Sequence, residues 1–146
     1  MKIVKEFRFE MAHVLSNYIG PCGNLHGHSY RCLVEIKSPD LGATGQPGMV
    51  IDFNEVKRIA GNVINAMDHA FAYNELTEDP FEKDLIKVCE KHHKKTVAFK
   101  HRTTAELMSR FICDEINNRL NQEHKPVRCS KVTLYETTTG CAIYEE

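Results

Sequence analysis

His26 and His28 stand two residues apart in the stretch Cys22–Tyr30, CGNLHGHSY. On an extended chain that spacing aims both imidazoles the same way. Gly27 between them leaves the opposite face bare, so another backbone or a ligand can approach closely. His13 closes an earlier alternating segment, and a hairpin with a wide loop would bring all three imidazoles together. Three neutral imidazoles favour zinc among the borderline metals and leave a fourth coordination position open, the pattern of a catalytic site. The plainer alternative is that each histidine is a satisfied core or turn residue, which the His-x-His pair with a third His nearby disfavours. Cys22 is open to two readings. It is a fourth ligand, or it is a thiol held beside a dication and biased toward thiolate, as a base or nucleophile needs.

These side chains require particular elements to position them. Residues 2–14 alternate, with Phe7, Phe9, Met11 and His13 on one parity and Glu6, Arg8 and Glu10 on the other. His26, His28, Tyr30, Cys32, Val34 and Ile36 repeat the pattern over 26–37. Both segments read as half-buried strands. The linker SNYIGPCGN is a loop too short for a parallel crossover, so the two strands pair antiparallel. Val56, Ile59, Ala60, Val63, Ile64 and Met67 then recur at helical spacing, with Asn54 as the expected N-cap. Residues 74–102 read as a helical surface insertion, with Pro80 near the helix start, acids early and bases late. Thr103–Glu106 fits a capping box, and Leu107, Met108, Phe111, Ile112, Ile116 and Leu120 make the stripe of a further helix. Strands over 127–136 and 140–144 complete the order β-β-α-(α)-α-β-β. The expectation is one α+β domain over 1–146: a four-stranded antiparallel sheet with helices on one face. Its open edges favour a homo-oligomer.

The bulk properties narrow the function classes. The 146 residues carry a net charge of −1 with 27% charged side chains, without the basic excess that nucleic acid or anionic membrane would demand. The segment Met1–Phe7 lacks the apolar core of a signal peptide, and no stretch reaches membrane-spanning length. The six cysteines, at 22, 32, 89, 113, 129 and 141, form no CxxC and no dense framework, which points to reduced thiols in a cytoplasmic protein. Cys32 and Cys113 read as packed thiols, and Cys89, Cys129 and Cys141 carry no functional signal.

Taken in order, FRFEMAH, CGNLHGHSY, GMVIDF, MDHAF, TTAE and LYET resemble the 6-pyruvoyl-tetrahydropterin synthase family across nearly the whole chain. The three-residue gap of Cys22-x-x-x-His26-Gly-His28 is most similar to its bacterial 6-carboxy-5,6,7,8-tetrahydropterin synthase branch. The resemblance implies a tunnelling fold, in which trimers close their sheets into a barrel and pair as hexamers. It implies zinc on His13, His26 and His28, Cys22 as general base, and Asp68 and His69 as relay partners reaching across a subunit boundary. Glu136 becomes the anchor of the pterin ring, where a carboxylate suits adjacent ring N–H and amino donors. Thr104 matches a pterin-side segment, although the capping box explains it equally well. The residues alone leave two readings for each: His69 is a relay or a helix C-terminal cap, and Glu136, on the strand face of Val132 and Leu134, points inward or is an exposed glutamate before a Thr-rich turn.

The implied reaction converts 7,8-dihydroneopterin triphosphate to 6-carboxytetrahydropterin, acetaldehyde and triphosphate, at the entry to queuosine-type deazapurine synthesis. Two rivals remain: the pyruvoyl-forming enzyme on the same scaffold, and a non-catalytic zinc- or pterin-binding module with Cys22 on the metal. The chain departs from the family pattern at Met11, where a small residue is common, at Thr103, where proline is usual, and in the length of 74–102.

Overall fold

The computed structural model describes residues 1–146. Two 12-residue strands, β1 (Lys2–His13) and β2 (His26–Lys37), pair antiparallel along their full length. Their alternation is realised as read: Phe9, Met11 and His13 face the core with Tyr30, Cys32, Val34 and Ile36. The other face carries Arg8, Glu10 and Arg31, with the Arg31 guanidinium 4.0 Å above the Tyr135 ring.

The four-stranded antiparallel sheet expected from the sequence is overturned. The sheet has six strands in mixed orientation, ordered β4-β3-β1-β2-β5-β6. β5 (Arg128–Tyr135) and β6 (Cys141–Glu145) extend it antiparallel beyond β2. On the other side, β3 (Ala70–Asn74) and β4 (Thr96–Phe99) add two strands parallel to β1. Both are short, and Ala70, Phe71 and Ala72 are consecutively buried, so neither offers the period-two pattern that betrays a half-buried strand. Two parallel neighbours need a crossover, and α2 (Pro80–Lys91) supplies it between β3 and β4. The order is therefore ββαβαβαββ, with α1 (Phe53–Met67) and α3 (Ala105–Gln122) on one face of the sheet.

The apolar stripe of α1 is buried at every expected position from Val56 to Met67. On α3 the buried set is Ala105, Met108, Ser109, Ile112, Cys113, Ile116 and Leu120, while Leu107 stays exposed. Cys32, Cys113 and Cys129 are fully buried among these groups, and burial pushes the Cys32 thiol up to about 12.

The caps differ from expectation by one or two residues. Asp52, not Asn54, caps α1: its carboxylate accepts from the Asn54 N–H at 2.7 Å. Thr104, not Thr103, caps α3, its hydroxyl accepting from the Leu107 N–H at 3.5 Å. Thr103 is buried and turned toward β1 instead, so no box forms with Glu106. α2 starts as read, with Asp79 capping before Pro80. Glu82 is the one buried residue of α2.

The α1 assignment is tested by urea unfolding: Asp52→Ala costs about 1 kcal/mol, whereas Asn54→Ala, inside the first turn, changes stability by only a few tenths.

Candidate active site

Strand register assembles the site. His13 stands directly opposite His26 and Met11 opposite His28, so the three imidazoles gather at one end of the β1–β2 pair, on its core face. Their ring centroids lie 4.5, 4.9 and 5.2 Å apart. One nitrogen from each falls within 4.8 Å of the others. Gly27 earns its place here, because a Cβ would sit 3.0 Å from the Met11 carbonyl oxygen of the adjoining strand.

Two of the rings are locked from behind. His13 Nδ1–H donates to the Thr103 carbonyl at 2.8 Å, and His26 Nδ1–H donates to the Asn24 carbonyl at 2.7 Å. A carbonyl only accepts, so both protons sit on Nδ1 and both Nε2 atoms present lone pairs inward. Those two Nε2 atoms are 3.1 Å apart. Neutral rings in this tautomer place lone pair against lone pair, an arrangement that a cation between them relieves. His28 adds a buried Nε2 with no hydrogen-bond partner. Such a buried orphan is costly unless a ligand takes it. Burial pushes His13 down to about 4, with further lowering from His26 and His28 and opposition from its bond to Thr103. His28 is also lowered, mainly by burial, against the pull of the Glu136 carboxylate. Neutral imidazoles are what a metal requires. The three histidines therefore fit a divalent metal ion.

Glu136 reaches the same spot from just beyond β5. Its Oε1 is 4.0 Å from His13 Nε2 and accepts the Tyr30 hydroxyl at 3.5 Å. Burial and this carboxylate raise the Tyr30 phenol above its ordinary value, which keeps it a donor. Cys22 lies on a single 3₁₀ turn, Pro21–Gly23, partly exposed, and is not among the converging ligand atoms. Its carbonyl accepts the Leu15 N–H at 2.9 Å, which closes the neck of the loop. Thr104 is occupied by its capping bond, at the turn that follows the Thr103 carbonyl.

Asp68 and His69 follow the last residue of α1, and His69 lines a cleft that His28 also borders. Asp68 Oδ1 accepts from the Glu10 N–H and from His69 Nδ1–H, each at 2.9 Å. The first of these bonds, with support from His69 and Lys95, holds the Asp68 carboxyl below its usual range. The pairing leaves His69 Nε2 as a free acceptor on a 74% exposed side chain. His69 has a φ of 57°, a left-handed conformation usually filled by glycine or asparagine. It does not cap the helix. Lys95 Nζ does so, donating to the Asn65 and Asp68 carbonyls at 2.6 Å each. His69 lines a cleft of about 540 Å³ together with Glu10, Ser29, Phe71 and Lys95. No hydrogen bond joins Asp68 or His69 to Cys22 or to the three histidines of the same chain.

Sequence reasoning missed Tyr30, Thr103 and Asn24 as parts of the site. Tyr30 was readable, since it shares the alternating face of His26 and His28. Thr103 and Asn24 act through backbone carbonyls, which leave no side-chain signature.

A family model described as 6-pyruvoyl tetrahydropterin synthase matches residues 2–146. The chain is 43% identical to a 6-carboxy-5,6,7,8-tetrahydropterin synthase of Haemophilus influenzae over 99% of both chains. It is 32% identical to the enzyme of that name from Aquifex aeolicus, over 99% of this chain and 98% of the relative. Among solved structures, an uncharacterised protein of Wolinella succinogenes superposes with a TM-score of 0.80 at 21% identity, covering 100% of this chain and 98% of that one. A 6-pyruvoyltetrahydropterin synthase of Plasmodium vivax superposes at 0.74 with 16% identity, over 100% and 97%. At these identities the two structures speak for the fold alone.

The depressed His13 value sets an acid limit on the metal-free protein. Above about pH 6.5 His13 is neutral folded and unfolded, and contributes no pH dependence. Between 6.5 and about 4 only the unfolded chain binds the proton, so stability falls as pH falls. Urea titrations of metal-free protein across that window lose on the order of 3 kcal/mol from this group, and His13→Gln removes that part of the slope.

Proposed function

The chain belongs to the 6-pyruvoyl tetrahydropterin synthase family, and we propose that it is a zinc-dependent 6-carboxy-5,6,7,8-tetrahydropterin synthase. The observation that carries this reading is the inward set of nitrogens on His13, His26 and His28, with the Glu136 carboxylate 4.0 Å from His13. The substrate is 7,8-dihydroneopterin triphosphate, and the products are 6-carboxytetrahydropterin, acetaldehyde and triphosphate, feeding queuosine-type deazapurine synthesis. The 43% identity over the whole chain to a protein of that name supports the assignment.

His13, His26 and His28 hold zinc through the histidine nitrogens that face inward. When bound, zinc supplies Lewis acidity that lowers the pKa of side-chain hydroxyls and stabilises developing enolate charge. Glu136 fixes the pterin by accepting its adjacent ring N–H and amino protons. Tyr30 donates to the same carboxylate and keeps it oriented. Cys22, on the short turn Pro21–Gly23, moves protons at the side-chain carbons. Asp68 holds His69 in the tautomer whose Nε2 accepts a proton, so the pair is built as a relay. The resemblance to the family implies that the relay serving Cys22 comes from a neighbouring copy. The unpaired edges of β4 and β6, four and five residues long, are the natural joints of such an assembly. Trimers pairing as hexamers complete the picture. Thr104 sits at the α3 N-terminus next to the Thr103 carbonyl and contributes to the pterin side of the pocket.

No helix is long and apolar enough to cross a membrane. All six cysteines are free thiols, which is in keeping with a cytoplasmic enzyme.

Zinc-loaded protein incubated with the triphosphate substrate yields acetaldehyde and the 6-carboxy product by mass analysis. Formation of the 6-pyruvoyl product without acetaldehyde would assign the sibling activity instead. Cys22→Ala lowers kcat by at least about a hundredfold while zinc stoichiometry stays at the wild-type value. Retained turnover in that variant removes Cys22 from the base role.

A further inference from the structure

The one buried residue of α2 is a carboxylate. Every other residue of that helix is at least partly exposed, yet Glu82 is 1% exposed. No lysine or arginine pairs with it across an ion-pair distance. Burying a carboxylate is expensive unless its oxygens are satisfied, and here both are. Oε1 accepts the Asn74 N–H at 2.9 Å, and Oε2 accepts the Ser16 hydroxyl. Its place in the first turn of α2 adds the favourable end of the helix dipole. A helix that needed only to rest on the sheet would bury an apolar side chain there, so the polar choice points at the partner.

That partner belongs to the loop between β1 and β2. Ser16 is gripped at two points: its hydroxyl by Glu82 and its carbonyl by the Arg102 guanidinium at 3.0 Å. The Thr77 hydroxyl lies 3.3 Å from the same Ser16 oxygen. One residue earlier, the Leu15 N–H holds the Cys22 carbonyl at 2.9 Å. Two residues earlier, the Val14 carbonyl accepts from the Thr103 hydroxyl at 3.5 Å. The contacts from Thr77, Glu82, Arg102 and Thr103 all grip Val14 and Ser16, on the near side of the loop that carries Cys22, while the Leu15–Cys22 bond closes that loop on itself.

We propose that Glu82 is a positioning residue: through Ser16 its buried carboxylate fixes the β1–β2 loop that carries the Cys22 thiol. The 74–102 segment thereby acts as a brace for the Cys22 loop. The claim rests on Cys22 being the reactive thiol of the proposed enzyme, and the test separates the two.

Glu82→Gln, Ser16→Ala and the double variant are compared with the wild-type zinc-loaded protein, with Glu78→Gln, on the exposed side of the same segment, as control. The first readout is the rate of iodoacetamide alkylation at Cys22 at fixed pH, resolved by peptide mass mapping. Loosening the loop raises that rate about fivefold or more in each single variant. The double variant goes no further than either single one, because both break one contact. Glu78→Gln leaves the rate unchanged, and zinc content is the same throughout. In turnover, kcat falls by about 10- to 100-fold with KM little altered. Should Glu82→Gln fail to fold, Ser16→Ala decides alone. Wild-type alkylation rates in the single variants overturn the proposal, as do additive effects in the double variant or a change that tracks zinc loss. If the alkylation rate shifts but the wild type forms no pterin product, the brace stands and the enzymatic reading falls.

Discussion

The antiparallel register of β1 against β2 puts His13 opposite His26 and Met11 opposite His28, and the remaining parts of the site depend on it. A slip of one residue would send one strand's histidines to the opposite face, where Glu10, Ala12 and Ser29 now lie. Twelve paired residues and a buried face of Phe9, Tyr30, Cys32, Val34 and Ile36 hold that register. The Phe9 and Tyr30 rings stack at 4.9 Å just below the histidines. The core of the sheet is thus continuous with the site, and Tyr30 serves both, packing below and donating to Glu136 above.

Orientation of the rings comes from outside the strands. Thr103 closes the chain on the His13 side through its carbonyl, and Asn24 does the same for His26 from the end of the loop. Fixing the Nδ1 protons leaves the inward nitrogens as acceptors before any ion arrives, which lowers the reorganisation a metal must impose. Asp68 applies the same device to His69, with a carboxylate in place of a carbonyl. Within one chain no hydrogen bond joins this pair to the three histidines.

Much of this was legible from period and spacing. Alternation located β1, β2 and the shared face of His13, His26 and His28, and the helical period located α1 and most of the α3 stripe. β3 and β4 escaped because AFAYN and TVAF are short, and three consecutive buried residues in β3 erase any alternation. Without those strands the sheet looked four-stranded and wholly antiparallel, and the crossover role of α2 could not be seen. Helix starts were misplaced by one or two residues where several candidate caps sit side by side, as at Asp52 and Asn54 or Thr103 and Thr104. The Thr103 case matters for the site, because the residue read as a cap is the one whose carbonyl orients His13. Asp68 and His69 are singled out by the resemblance of MDHA alone, whereas the capping of α1 by Lys95 from 27 residues downstream comes only from the folded chain.

The central claim is that His13, His26 and His28 form the metal centre while Cys22 stands off it as a base. Substituting cobalt(II) for zinc and recording the near-ultraviolet spectrum tests this directly, since a thiolate ligand gives an intense charge-transfer band that imidazoles do not. The account predicts no such band in the wild type at neutral pH, and a Cys22→Ala spectrum that overlays it. A thiolate band that disappears in Cys22→Ala would place the sulfur on the metal and contradict the account.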